Sequence, residues 1–123
     1  MKRTRILLAD DDLHMLVSLK GLLQADFEVV DAVSDGHSLV EDAFKLHPDV
    51  IVTDISMPKM NGIEAVRTIR SVLPDIKFIF LTMHDATAYR REARRVGAAG
   101  YVLKSAVREE LSEAIHHAMD SAA

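Results

Sequence analysis

Short apolar runs and amphipathic stretches alternate five times along this chain. The runs Arg5–Ala9, Glu28–Ala32, Asp49–Thr53, Lys77–Thr82 and Gly100–Leu103 have the length of strands. Val, Ile, Leu and Phe dominate the first, third and fourth with little polar alternation, as expected of parallel strands covered on both faces. Between the runs, apolar residues recur every three or four positions: Leu16, Leu19 and Leu23; Val66, Ile69 and Leu73; and Val107, Leu111, Ala114, Ile115 and Ala118. That spacing predicts helices with one buried stripe.

Boundary residues agree with this division. Pro48 and Pro74 each follow a helical stretch and precede a strand, where proline ends a helix without costing a ladder bond. Gly97 is expected just past a helix end, Asp35, Asp85 and Ser105 at helix N-caps, and Gly62 in a loop at positive φ, with Pro58 stiffening that loop. Five βα units joined by right-handed crossovers give an α/β fold, an open parallel sheet with helices on both faces. Ligands of such sheets lie beyond the carboxyl ends of the strands, where the strand order switches. Asp10, Asp11, Asp12, Asp54, Thr82 and Lys104 all fall at that edge.

Composition narrows the function classes. The chain has 123 residues, 49% hydrophobic and 28% charged, which suits one globular domain with a sizeable core. A formal net charge of −4 argues against a nucleic-acid-binding surface over the whole chain. The absence of cysteine removes disulfides, thiolate zinc sites and thiol chemistry. The basic start Met1-Lys2-Arg3-Thr4-Arg5 is followed by only four apolar residues before Asp10, too few for a secretory or membrane segment. A cytoplasmic protein without membrane partners is expected. The six histidines show no metal-ligand spacing.

The acids at the strand ends change the picture most. Like charges about 4 Å apart cost roughly 4 kcal/mol at an effective dielectric near 20, so converging carboxylates call for a cation among them. Mg²⁺ prefers hard oxygen ligands and keeps several waters, so one or two carboxylates and a carbonyl suffice. Asp11 and Asp54 are the direct-ligand candidates, with Asp10 binding directly or through water, while Asp12 reads as a helix cap. A carboxylate in such a site can itself be the nucleophile towards phosphorus. Asp54 suits that role because it stands alone on the central strand. The Thr82 hydroxyl can hydrogen-bond a phosphoryl oxygen, and Lys104 supplies a mobile cation.

Taken together, Asp10-Asp11, the run Asp54-Ile55-Ser56-Met57-Pro58-Lys59-Met60-Asn61-Gly62, Thr82 and Tyr101-Val102-Leu103-Lys104 resemble the receiver domain of two-component response regulators, the CheY-like fold. The likeness spans roughly residues 4–120. Leu81-Thr82-Met83-His84-Asp85 and Tyr101-Val102-Leu103-Lys104-Ser105 further resemble the NarL/FixJ-type subfamily, whose members usually carry a C-terminal LuxR-type helix-turn-helix. The resemblance implies a doubly wound five-stranded sheet in the order 2-1-3-4-5 and one receiver domain over residues 1–123, without an output domain in this chain. It implies that Asp54 accepts a phosphoryl group from a sensor histidine kinase or a small donor such as acetyl phosphate. Asp10, Asp11, Asp54 and the Ser56 backbone carbonyl would hold Mg²⁺, with Mn²⁺ able to substitute. Thr82, Lys104 and the backbone N–H of Met83 would contact the phosphoryl oxygens. Thr82 and Tyr101 would act as the switch, repacking the face of the fourth helix, fifth strand and fifth helix, while Ser56 and His84 would tune the phosphoryl lifetime. The protein would then be a phosphoacceptor rather than a turnover enzyme, acting on transcription through a DNA-binding domain elsewhere and not binding nucleic acid itself. Two departures stand out: Ser105 follows the lysine where many receivers have proline, and Met83 follows Thr82 where alanine is frequent.

Arg90, Arg91, Arg94 and Arg95 form a basic arc on the fourth helical stretch, and Glu109, Glu110 and Glu113 an acidic arc on the fifth. Solvated faces and a two-fold homodimer formed on phosphorylation, pairing one arc with the other, both fit this pattern. Two other functions are also open. A metal-dependent phosphohydrolase of the haloacid dehalogenase type would use Asp10 and Asp12 as a D-x-D, and a phosphorylation-independent interaction module would merely retain the acidic pocket.

Overall fold

The strands β1 (Arg5–Ala9), β2 (Glu28–Val33), β3 (Val50–Asp54), β4 (Lys77–Thr82) and β5 (Gly100–Leu103) form one parallel sheet in the order β2-β1-β3-β4-β5. The computed structural model describes residues 2–83 and 87–120. Helices α1 (Leu13–Leu23), α2 (Gly36–Leu46), α3 (Gly62–Val72), α4 (Thr87–Arg95) and α5 (Val107–Asp120) alternate with the strands. The α/β class and the strand order are those expected from the sequence and its resemblance.

Burial follows the strand period of two. In β1, Leu7 and Ala9 join the apolar layer under α2 and α3, while Ile6 and Leu8 join the layer under α1 and α5. β3 divides the same way, with Ile51 on the first side and Val50 and Val52 on the second. All five residues of this central strand are buried, whereas the edge strands β2 and β5 are largely half-exposed. Leu16, Leu19 and Leu23 are the buried stripe of α1, and Leu111, Ile115 and Ala118 that of α5.

The caps explain where the helices begin. Asp12 Oδ1 accepts from the His14 and Met15 amides, and Asp35 Oδ1 from the Ser38 amide. Asn61 and Glu64 form a reciprocal capping box on α3. Gly97 takes φ 82 beyond α4, as expected of a residue past a helix end.

Four local expectations need correction. β3 runs one residue later than expected, from Val50 through Asp54, while the Asp49 carboxylate accepts the Arg5 amide at 2.8 Å just before it. β2 runs one residue further than expected, to Val33. Ser105 caps nothing; it lies inside a 3₁₀ turn, Lys104–Ala106, that leads into α5. Gly62 does not have positive φ; Lys59 does, at φ 70. The expected cap Asp85 lies outside the described residues.

Candidate functional site

Register brings the acids together. Ala9 pairs with Thr53 across β1 and β3, so Asp10 and Asp54 are the next neighbours at the carboxyl edge. Both also continue the side-chain parity of the α1/α5 layer, which follows Ile6 and Leu8 in one strand and Val50 and Val52 in the other. Lys104 keeps the same parity beyond Val102 of β5. Thr82 and Tyr101 carry the opposite parity, that of Phe78 and Phe80, and Tyr101 packs on the α2/α3 layer.

Carboxylate oxygens of Asp10, Asp11 and Asp54 can all lie within 4.8 Å of one another. Asp10 is fully buried and Asp54 nearly so, while Asp11 is exposed at the mouth. The Asp12 amide donates to Asp10 Oδ1 at 2.9 Å and fixes that carboxylate. Lys104 Nζ hydrogen-bonds Asp54 Oδ2 at 3.1 Å and stands 2.8 Å from Asp10 Oδ2, an ion pair off the hydrogen-bonding line. One ammonium therefore faces three carboxylates, and the unbalanced charge is that of a divalent cation.

Titration directions reflect this packing. Burial pushes the Asp54 carboxyl above the usual carboxylate range; the Lys104 hydrogen bond opposes the shift, and the charges of Asp10 and Asp11 reinforce it. Burial acts against the Lys104 charge, but its contacts with Asp10 and Asp54 outweigh it and raise the ammonium pKa. The oxygen-rich donor set, the partly unpaired Asp10 Oδ2 and the charge deficit all fit Mg²⁺ better than a softer ion.

The other expected residues that the structure describes lie in or just after β3, β4 and β5. Thr82 is buried at the end of β4, opposite Leu103 in register. Met83 follows as an exposed bend residue, and Ser56 is exposed in the loop after β3. His84 lies outside the described residues. Tyr101 is half-buried, its hydroxyl buried without a hydrogen-bond partner among the described residues and its ring stacked under the Arg90 guanidinium at 4.7 Å. Asp12 is occupied as the α1 cap, which removes the second acid a D-x-D phosphohydrolase needs. A concavity of about 420 Å³ between Pro48, Pro74 and Met119 lies at the opposite end of the sheet from the acids.

Three features escape the sequence. Gly36 lets the Met60 carbonyl rest on the start of α2, although in the sequence it reads only as the residue after a cap. Gly62 does the same for the Asp54 carbonyl, a close approach in place of the positive φ expected of it. Away from the site, Asp31 of β2 and Asp42 of α2 are neighbouring acids that can hold one proton between them. Their interaction and burial push Asp42 up to about 6, and the same interaction lowers Asp31.

Comparisons with known proteins agree with this fold. The family profile described as response regulator receiver domain matches residues 6–116. The uncharacterized transcriptional regulatory protein YxjL of Bacillus subtilis is 39% identical over 94% of this chain and 54% of that protein. The transcriptional regulatory protein DegU of Brevibacillus brevis is 38% identical over 92% of this chain and 49% of that protein. The chain thus spans about half the length of these curated relatives. Among solved structures, the signal receiver domain of the putative response regulator NarL from Mycobacterium tuberculosis superposes with a TM-score of 0.93 at 26% identity, covering 99% of this chain and all of that one.

Proposed function

The chain belongs to the response regulator receiver family, and from that premise we propose that it is a Mg²⁺-dependent phosphoacceptor in two-component signalling. The observation that carries this reading is the placement of Lys104 Nζ between the buried carboxylates of Asp10 and Asp54, with Asp11 at the mouth. Asp10, Asp11, Asp54 and the Ser56 carbonyl would hold the metal, which when bound spreads the negative charge that builds on a transferring phosphoryl group.

An Asp54 carboxylate oxygen attacks phosphorus in line with the leaving group. The new O–P bond replaces the P–N bond of a kinase phosphohistidine, whose electron pair returns to the imidazole. Lys104 swings its ammonium from the carboxylates to a phosphoryl oxygen, and the Thr82 hydroxyl and Met83 amide donate to others. Hydrolysis of the acyl phosphate returns Asp54 to its starting form, so the protein is modified and reset rather than acting as a turnover enzyme. Ser56 and His84 would set the lifetime of that state.

Thr82 moving towards the phosphate would vacate space for the Tyr101 ring and repack the surface of α4, β5 and α5. The phosphorylated form would pair through the Arg91 and Arg94 arc against Glu109, Glu110 and Glu113 of a second copy. Charge reversal at Arg91 and Arg94 that left sedimentation of the phosphoprotein unchanged would reject that pairing. Its output would be transcription control through a LuxR-type DNA-binding domain, with a sensor histidine kinase as donor.

The test is incubation with acetyl phosphate and Mg²⁺ followed by intact mass measurement. One phosphoryl adduct lost in Asp54→Asn is expected. An adduct that persists in Asp54→Asn, or rapid p-nitrophenyl phosphate turnover abolished by Asp10→Asn, would sink the reading in favour of a phosphohydrolase.

A further inference from the structure

Residues 55–61 connect β3 to α3 and carry the Ser56 carbonyl. Their path is tightly constrained at both ends. The Gly62 amide donates to the Ile55 carbonyl at 2.7 Å, and a β-carbon on Gly62 would collide with the Asp54 carbonyl group, 3.1 Å from its carbon. In the middle, the Met60 amide donates to the Pro58 carbonyl at 2.8 Å with Lys59 at φ 70. A bond across three residues with that sign of φ is the rarer and more strained kind of γ-turn. Strained backbone persists only where its surroundings over-determine it.

The constraint on this turn comes from α2. A β-carbon on Gly36 would run into the Met60 carbonyl oxygen and stand only 2.6 Å from Met60 Cβ. Gly36 does not have positive φ, so the close approach, not backbone freedom, is what requires glycine here. Beside it, Asp35 Oδ2 lies 3.8 Å from Lys59 Nζ while Asp35 Oδ1 caps α2. The strained turn is thus seated on the first residues of a different βα unit by one steric and one electrostatic contact.

We propose that Gly36 is a positioning residue for the metal site: by admitting the Met60 carbonyl against α2, it fixes the 58–60 turn and so the Ser56 carbonyl relative to Asp54. This rests on the reading of Asp10, Asp11 and Asp54 as a Mg²⁺ site. Glycine at a helix start would otherwise only lower helix stability, and Gly21 in α1 gives the contrast, because nothing lies within 4 Å of a β-carbon there.

The experiment compares thermal midpoints of wild type, Gly36→Ala and Gly21→Ala in EDTA and across a Mg²⁺ titration. Wild type and Gly21→Ala should show the same Mg²⁺-dependent gain. Gly36→Ala should show less than half that gain and at least fivefold weaker apparent Mg²⁺ affinity, beyond any loss of stability in EDTA. A merely structural glycine would lower both midpoints and leave the gain intact, which overturns the proposal. No gain in wild type overturns both the proposal and the metal-site reading, and so separates the two failures. If Gly36→Ala does not fold, Mg²⁺ titration of the wild type followed by NMR decides. The Gly36 and Met60 amides should shift with the midpoint of Asp54, and an unmoved Gly36 overturns the proposal.

Discussion

The Arg90 guanidinium lies 4.7 Å from the centre of the Tyr101 ring, so a cation from α4 covers the ring that β5 presents. Such contacts contribute about 0.5–1 kcal/mol where solvent reaches them. The Tyr101 hydroxyl gains no hydrogen bond in this position among the described residues, so the stack is a main polar reason for the ring to stay. Arg90→Ala should therefore shift the Tyr101 rotamer equilibrium by roughly two- to fivefold. Ring NMR of the unphosphorylated protein reads this directly, and unchanged Tyr101 resonances would refute it.

Lys104 is the internal cation of the acidic site. Lys104→Met keeps the apolar stem and deletes the charge, leaving Asp10 buried beside Asp54. Breaking a buried pair costs about 3–5 kcal/mol, so a loss near 3 kcal/mol is expected in EDTA. Mg²⁺ should restore much of it by supplying charge to the same oxygens. Denaturant melts with and without Mg²⁺ measure both, and a metal-independent deficit would count against the shared site.

The Asp31–Asp42 pair predicts a pH dependence outside the site. Asp42 has a native pKa of about 6, above its unfolded value, so the native state holds a proton that the unfolded chain releases. Stability should fall as pH rises towards about 6 and then level off. The lowered Asp31 acts only in more acidic solution, below its ordinary pKa. Asp42→Asn should melt higher than wild type at pH 7.5, with the difference closing near pH 5. Parallel melting curves at the two pH values would contradict the shared proton.

Gly62→Ala tests the approach of α3 to Asp54. Its β-carbon must displace the Asp54 carbonyl, which overpacks a buried strand end at a cost of about 1–3 kcal/mol. Gly21→Ala should instead stabilise by about 0.5–1 kcal/mol, as alanine does inside a helix. Chemical denaturation of both variants, run side by side, checks the contrast.

What the sequence revealed follows from what is periodic. The apolar runs mark β1, β3 and β4 to within a residue, and the acids that end two of them point to one edge. The one-residue slip at β3 has a local reason: Asp49 bonds the backbone of β1 and β4 as a strand residue does, and Asp54 ends an apolar run as a loop residue would. Gly62 was given the wrong reason because a glycine serving close approach and one serving positive φ are the same letter, and Lys59 takes positive φ without any glycine signal. Gly36, Arg90 and the Asp31–Asp42 pair depend on how α2 and α4 dock against other elements. No local pattern encodes those distances.

The two apolar layers share no residue, and the sheet stands between them as a partition. Asp10, Asp54 and Lys104 follow the parity of one layer, while Tyr101 packs on the other. In the proposed switch, Thr82 would carry a chemical event on the first side to Tyr101 on the second. The α1 surface would then serve whichever protein delivers the phosphate, and the α4 surface whichever protein listens.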